Sequence, residues 1–374
     1  MTVTDDVAAR ATIKKNVNGA ASNGSGQAPS TGSGQVSPAE RQAALARLRM
    51  MMLIRRFEER TYVEYSNPRT LADGTKELKI GGFCHLYSGQ EAIAAGTSAL
   101  FDKNRDYLVT GYRCHGASLA MGMSPRAAMA ELFGKATGCS KGKGGSMHLF
   151  DAEAHNMGGH GIVGGQLPLG IGMAFTQSYK KTGGVTFTFM GDGAINQGSH
   201  NESLNLASLY KLPCIFVVEN NGVAMGTQVE RSSAERDLAQ RGSGYNMPHW
   251  NVDGNDVDTV IREFGKAVDR ARAGEGPSYI VANTYRFRGH SMSDAMKYRA
   301  KEELEKAKSR DPITIYRSRL SEAGVINDLQ ADAMEAQVNQ EVEEAIVQAE
   351  NDPHPPLEDR FNDVLAEVYP YQPK

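Results

Sequence analysis

"FTFMGDGAINQG", residues 187–198, decides how the chain is read. An apolar run stops at Gly191, and a single acid, Asp192, stands between Gly191 and Gly193. Outward from this point the chain alternates. "VTFTFM" (185–190) reads as a strand, "SHNESLNLASLYKL" (199–212) as a helix and "CIFVVEN" (214–220) as a second strand. "VDTVIREFGKAVDRARAG" (257–274) puts Val257, Val260, Ile261, Phe264 and Val268 on one helical stripe that stops at Gly274. "PSYIVANTY" (277–285) reads as a third strand. Strands separated by helices imply parallel βαβ units. The expected fold class is α/β, a doubly wound, mostly parallel sheet flanked by helices.

In such a sheet, ligands bind outside the carboxyl ends of the strands. Asp192 follows the first strand and Asn221 follows the second, with one crossover helix between them. Both strand ends then open on the same edge, and the two residues face one crevice. A carboxylate with an amide carbonyl is hard oxygen ligation, which suits Mg²⁺ or Ca²⁺, and Mg²⁺ usually keeps phosphate oxygens as further ligands. Gly191 and Gly193 are expected to let the backbone bend and approach a ligand. The helix that follows is expected to aim its N-terminus at the same place, which favours phosphate. Taken alone, Gly-Asp-Gly is an ordinary turn. The strand–helix–strand frame and the "ENN" at 219–221 turn it into a metal–diphosphate reading.

Composition narrows the alternatives. The 374 residues carry 41 Lys and Arg against 44 Asp and Glu, a net charge of −3, so no nucleic-acid tract or basic membrane patch is implied. No apolar run approaches the roughly 20 residues of a membrane helix. Cys84, Cys114, Cys139 and Cys214 form no CxxC pair, which argues against a zinc knuckle and for reduced thiols inside a cell. The N-terminus has no apolar signal core, so secretion is disfavoured.

Residues 1–36, with "NGAASNGSGQAPSTGSGQ", hold too little apolar surface to order themselves and are expected to be a disordered low-complexity tail. Residues 37–374 are expected to form the domain. It opens with Ser37 as a helix cap, Pro38 in the first turn and Glu40 completing a capping box. Leu45, Leu48 and Met52 follow at helical spacing, and the last 65 residues look helical. Two decoys fail. "GCSKGKGG" (138–145) has three residues, not four, before its Gly-Lys pair, and Gly144 where a P-loop has Ser or Thr. No G-x-G-x-x-G fingerprint supports a nicotinamide site.

Six separated stretches carry a resemblance: "GFCHLYSGQEA" (82–92), "GYRCHG" (111–116), "GCSKGKGGSMH" (138–148), "GIVGGQLPLG" (161–170), "KLPCIFVVENNGVAMGT" (211–227) and "YRFRGHSMSD" (285–294). Together with the GDG motif they resemble the α subunits of the thiamine diphosphate-dependent 2-oxo acid dehydrogenases, most closely those acting on pyruvate. The match runs from about residue 45 to the end. It implies the thiamine diphosphate-binding fold, with Mg²⁺ held by Asp192, Asn221 and the backbone carbonyl of Val223, where relatives often have tyrosine. It implies that Tyr112 and Arg113 hold the diphosphate, and that Gly193 and Ala194 offer backbone N–H groups beside the metal. Gly161 and Val163 match contacts to the aminopyrimidine ring. Phe83 and His85 match residues on the approach to the thiazolium, and His290 sits on a loop over the diphosphate. Each has a blander reading, as turn glycine, surface pair or satisfied core histidine.

Ser291 matches a serine phosphorylated in mitochondrial relatives, and a second such serine is replaced, by Lys297. The resemblance further implies a β subunit in an α₂β₂ heterotetramer, because this chain has one α/β unit and no assignable carboxylate to activate the cofactor. It implies docking on a dihydrolipoamide acetyltransferase core and a 2-oxo acid substrate. The expected compartment is a bacterial-type cytoplasm ahead of the mitochondrial matrix, with neither nucleic acid nor membrane as partner. The nearest rivals are the α subunits of acetoin dehydrogenase and of other 2-oxo acid dehydrogenases. A rival of another class is a non-catalytic Mg²⁺–nucleotide-binding module.

Overall fold

The structure is a computed structural model and describes residues 36–70 and 73–363. All but the last residue of the expected tail, 1–36, lies outside the described residues. At its centre is a six-stranded parallel sheet. Its strands are β1 (Tyr107–Gly111), β2 (Asn156–His160), β3 (Thr186–Gly191), β4 (Cys214–Asn220), β5 (His249–Asp253) and β6 (Ser278–Asn283), in the spatial order β2-β1-β3-β4-β6-β5. Every pairing is parallel. β3, β4 and β6 are the strands read from the apolar runs, and the expected α/β class holds.

Side chains alternate across the sheet. Phe187, Phe189, Ile215, Val217, Ile280 and Ala282 enter one core, while Met190, Cys214, Phe216, Val218, Tyr279 and Val281 enter the other. A strand buried on both faces has no polar position to alternate with, so these strands read as continuous apolar runs.

Helices cover both faces. Helix α1 (Pro38–Ser66) starts on the expected capping box, in which Ser37 and Glu40 bond reciprocally, and buries Leu48 and Met52. With α2 (Glu91–Ser98), α3 (His115–Ala120) and α4 (Pro125–Leu132) it contributes to the first core. Helices α5 (Gln166–Lys180) and α6 (Gly198–Leu209) pack together on the second. Helix α7 (Val257–Arg272) returns to the first, with its stripe Val257, Val260, Ile261, Phe264 and Val268 buried as expected. Helices α8 (Pro312–Glu322) and α9 (Asp328–Asn351) close the first core, α9 lying against α1 and α4. Among the described residues no helix is long and apolar enough to cross a membrane.

Two local expectations are corrected. Neither glycine flanking Asp192 has a positive φ; Gly193 sits at φ −72°. Gly193 is required for a different reason: a Cβ there would lie 2.6 Å from the Cβ of Ala224, whereas one on Gly191 would meet nothing within 4 Å. The second concerns the helix after the motif. A 3₁₀ turn, Ala194–Asn196, follows Gly193, and α6 begins only at Gly198.

Candidate active site

Four neighbouring strands, β2, β1, β3 and β4, end on the same side of the sheet. The residues just past their ends line a cavity of about 870 Å³. The chain turns one way from β1 to β2 and the other way to β3, so this is the topological switch point where ligands bind in open α/β sheets. All twelve residues singled out in the sequence line this cavity: Phe83, His85, Tyr112, Arg113, Gly161, Val163, Asp192, Gly193, Ala194, Asn221, Val223 and His290. No residue of α6 does; the wall after Asp192 is made by Gly193 and Ala194.

Asp192 and Asn221 are only 5% and 7% exposed. Burial raises the Asp192 carboxyl to about 6, against the pull of Arg286, of nearby backbone N–H groups and of Arg113. Its Oδ2 is buried without a hydrogen-bond partner. A buried carboxylate oxygen left unpaired is costly and needs an explanation. The Asn221 oxygen and the Val223 carbonyl lie close by, both within 3.5 Å of the same Arg286 nitrogen. Among the described residues no three His, Cys, Asp or Glu side chains cluster as a metal site. One carboxylate, one amide oxygen and one carbonyl form a hard but incomplete set. It fits a small divalent cation whose remaining ligands come from phosphate oxygens and water.

Arg113 is buried and donates to the carbonyls of Leu86 at 2.7 Å and His290 at 2.8 Å. Burial, with Arg286 nearby, lowers it to about 10, which leaves it charged at neutral pH. Tyr112, His85 and His290 form a cluster of rings, with His85 and Tyr112 centroids 4.5 Å apart and His85 and His290 5.1 Å apart. Burial, then the charge of Arg113, lowers His85 to about 2 and His290 to about 4, so both rings are neutral at pH 7. Phe83 stands 63% exposed at the rim.

Three lining residues lie inside quoted motifs but were given no role from the sequence. Gln90 and Arg286 are buried, and Glu219 carries a buried carboxyl that burial pushes up to about 7 and that accepts from the Tyr87 hydroxyl. Their polar character within otherwise apolar or structural surroundings was the available signal. Glu58, His115 and Ser146 form a second buried chain: Glu58 bonds His115 at 2.9 Å, and His115 bonds the Ser146 hydroxyl at 2.8 Å. The distances suit a hydrolase triad, but Ser146 is 2% exposed and its hydroxyl accepts from the His85 backbone N–H. The chain braces the His85 segment rather than presenting a nucleophile.

A sequence model of the dehydrogenase E1 component family matches residues 49–358. The chain belongs to this family. Among curated relatives, the pyruvate dehydrogenase E1 component subunit alpha of Rhizobium meliloti is 44% identical over 333 residues, 89% of this chain and 92% of that one. The protein of the same name from Zymomonas mobilis is 45% identical, covering 88% and 91%. The testis-specific mitochondrial form from Rattus norvegicus is 40% identical, covering 89% and 82%. The matched region of the dehydrogenase E1 component family thus takes in all six strands and every segment that lines the cavity.

Proposed function

We propose that the chain is the α subunit of a bacterial-type, cytoplasmic pyruvate dehydrogenase. With a β subunit, thiamine diphosphate and Mg²⁺ it decarboxylates pyruvate, and the acetyl group passes to lipoyl groups of a dihydrolipoamide acetyltransferase core. The observation that carries this reading is the convergence of twelve motif residues, from separate parts of the chain, on one cavity at the strand ends. The names and coverage of the relatives supply the choice of substrate.

When bound, thiamine diphosphate supplies the electron sink that decarboxylation of a 2-oxo acid requires. The residues of this chain bind and orient. Asp192, Asn221 and the Val223 carbonyl hold the cation. Arg113 holds the diphosphate through its fixed fork of donors, with Tyr112 beside it. The Gly193 and Ala194 N–H groups would be available to the same anion, and Gly161 and Val163 would border the ring portion. His85 and His290 act as neutral imidazoles, which donate or accept one hydrogen bond without adding charge to a site that already carries Arg113 and Arg286. Phe83 lies on the path of the substrate and keeps that path apolar.

The test is pyruvate-dependent reduction of an artificial electron acceptor by the chain co-purified with its β partner. Activity with pyruvate over acetoin and branched-chain 2-oxo acids is expected. Preference for acetoin would reassign the substrate, and calorimetric binding of ATP in place of thiamine diphosphate would overturn the enzyme class.

A further inference from the structure

The direction of one buried hydrogen-bond chain leaves Gln90, a residue of the cavity lining, with an unpaired buried donor. The chain starts at Arg286, whose guanidinium can only donate. Its Nη1 lies 3.4 Å from the side-chain oxygen of Asn221 and 3.5 Å from the carbonyl of Val223. The Asn221 atom that faces Arg286 is therefore the oxygen. The nitrogen of the same amide then faces away, and it donates to Oε1 of Gln90 at 3.0 Å. That bond uses the oxygen of Gln90, so its nitrogen must point elsewhere.

Gln90 is 0% exposed, lines the cavity, and its Nε2 is buried without a partner. Asp192 Oδ2 is a buried acceptor in the same state, and the two do not satisfy one another. An unmade hydrogen bond on a buried amide costs free energy that a native site recovers only when something else completes it. Two residues of the cavity lining thus hold unmet groups: a buried acceptor on Asp192, and a buried donor on Gln90, whose other amide atom is bonded to Asn221. An acceptor that arrives next to the cation completes the second, and a phosphate oxygen has that chemistry.

We infer that Gln90 is a further cofactor-binding residue. Its Nε2 donates to a phosphate oxygen of thiamine diphosphate, while its Oε1 holds the Asn221 amide with the oxygen turned toward the cation. The inference rests on the reading of the cavity as a thiamine diphosphate site.

The test is calorimetric titration of thiamine diphosphate, at saturating Mg²⁺, into the chain with its β partner. Wild type is compared with Gln90→Glu and Gln90→Met. Gln90→Glu keeps the shape and the acceptor for Asn221 but removes the donor and sets a negative charge against the phosphate. Gln90→Met removes donor and acceptor together. Each is expected to raise the dissociation constant about tenfold to a hundredfold, the range for a lost hydrogen bond to a charged group. Circular dichroism shows whether each variant is folded; if Gln90→Met is not, the isosteric Gln90→Glu carries the test. A folded Gln90→Glu that binds within twofold of wild type overturns the role of Gln90 and leaves the site assignment standing. A wild-type protein that fails to bind thiamine diphosphate overturns both.

Discussion

Asp192 supplies the one formal charge among the three groups read as cation ligands, because Asn221 and Val223 offer neutral oxygens. Asp192→Ala is expected to abolish Mg²⁺-dependent binding of thiamine diphosphate, read by calorimetry on the α–β complex; unchanged affinity would remove the metal assignment. Arg113 spends two of its N–H groups on the carbonyls of Leu86 and His290. A guanidinium has five, so donors remain for a phosphate while the side chain is held in place. Arg113→Ala is expected to cost about 2–3 kcal/mol of cofactor affinity. Arg113→Lys should recover only part of it, since an ammonium cannot span two fixed carbonyls and a phosphate with the same geometry. Equal dissociation constants for wild type and Arg113→Ala would show that Arg113 does not meet the diphosphate.

At the scale of elements, the glycine-rich stretch 138–145 looks like an anion loop because it is one, with an anion from its own chain. The carboxylate of Glu131, on α4 and fully buried, accepts from the backbone N–H groups of Ser140, Gly142, Gly144 and Gly145 at 2.7 to 3.1 Å. This fixes the loop that carries Ser146 and Met147 toward the site. Gly142 at φ +75° and Gly145 at φ +61° take a conformation that side chains resist. Glu131→Gln keeps one acceptor oxygen and leaves two of the four N–H groups unmet, so urea denaturation should show a loss of about 2–4 kcal/mol. Undiminished stability would mean water replaces the carboxylate.

The start of α7 is the second case. Asp256 caps it by accepting from the N–H groups of Asp258 and Thr259, and the Arg319 guanidinium grips both carboxylate oxygens at 2.8 Å. Burial would raise this carboxyl, but hydrogen bonds and charge from Arg319 outweigh it and hold it below the ordinary aspartate value. Arg319 is 38% exposed, so solvent screens the pair and limits what it adds to stability beyond the cap. Asp256→Ala should cost about 1–2 kcal/mol at neutral pH. A depressed folded-state pKa gives stability that is complete above the ordinary value, near 4, and is lost as pH falls through the depressed one. The gap in melting temperature between wild type and Asp256→Ala is therefore expected to narrow below about pH 4, and a gap that stays constant there would contradict the pairing.

At the scale of the whole molecule, the proposed function requires a second chain to complete the site. Phe83, Val163 and Met225 stand exposed around the cavity mouth, as if to be covered by another surface. Purified alone, the chain is expected to show almost no pyruvate decarboxylation even with saturating thiamine diphosphate and Mg²⁺. Adding the β chain should restore it, measured as pyruvate-dependent dye reduction, and transfer to lipoyl groups should then need the acetyltransferase as acceptor. Full activity from the α chain alone would show that the activating group is already present in it.

The sequence by itself determined the α/β class, three of the four inner strands (β3, β4 and β6), the capping box of α1 and the meeting of Asp192 and Asn221 at one crevice; the other ten residues came from the family resemblance. The physical reason is burial: a strand covered on both faces is apolar at most positions, with only small hydroxyls such as Thr186 and Thr188 between them, and the charged or amide residues at its end then stand out. Strands β2 and β5 escaped that reading because they are the sheet edges. β2 reads "NMGGH", and its glycines exist for close approach: a Cβ on Gly159 would lie 2.5 Å from the Cys114 sulfur. β5 reads "HWNVD" and buries only Val252. β1 offers three buried residues, too short a run to separate from a loop. Only the tertiary structure decided which polar groups the cavity satisfies and which it leaves open. Arg286 comes from a distant loop to set the direction of the Asn221 amide, and nothing in the order of residues tells which face of an amide a buried neighbour will claim.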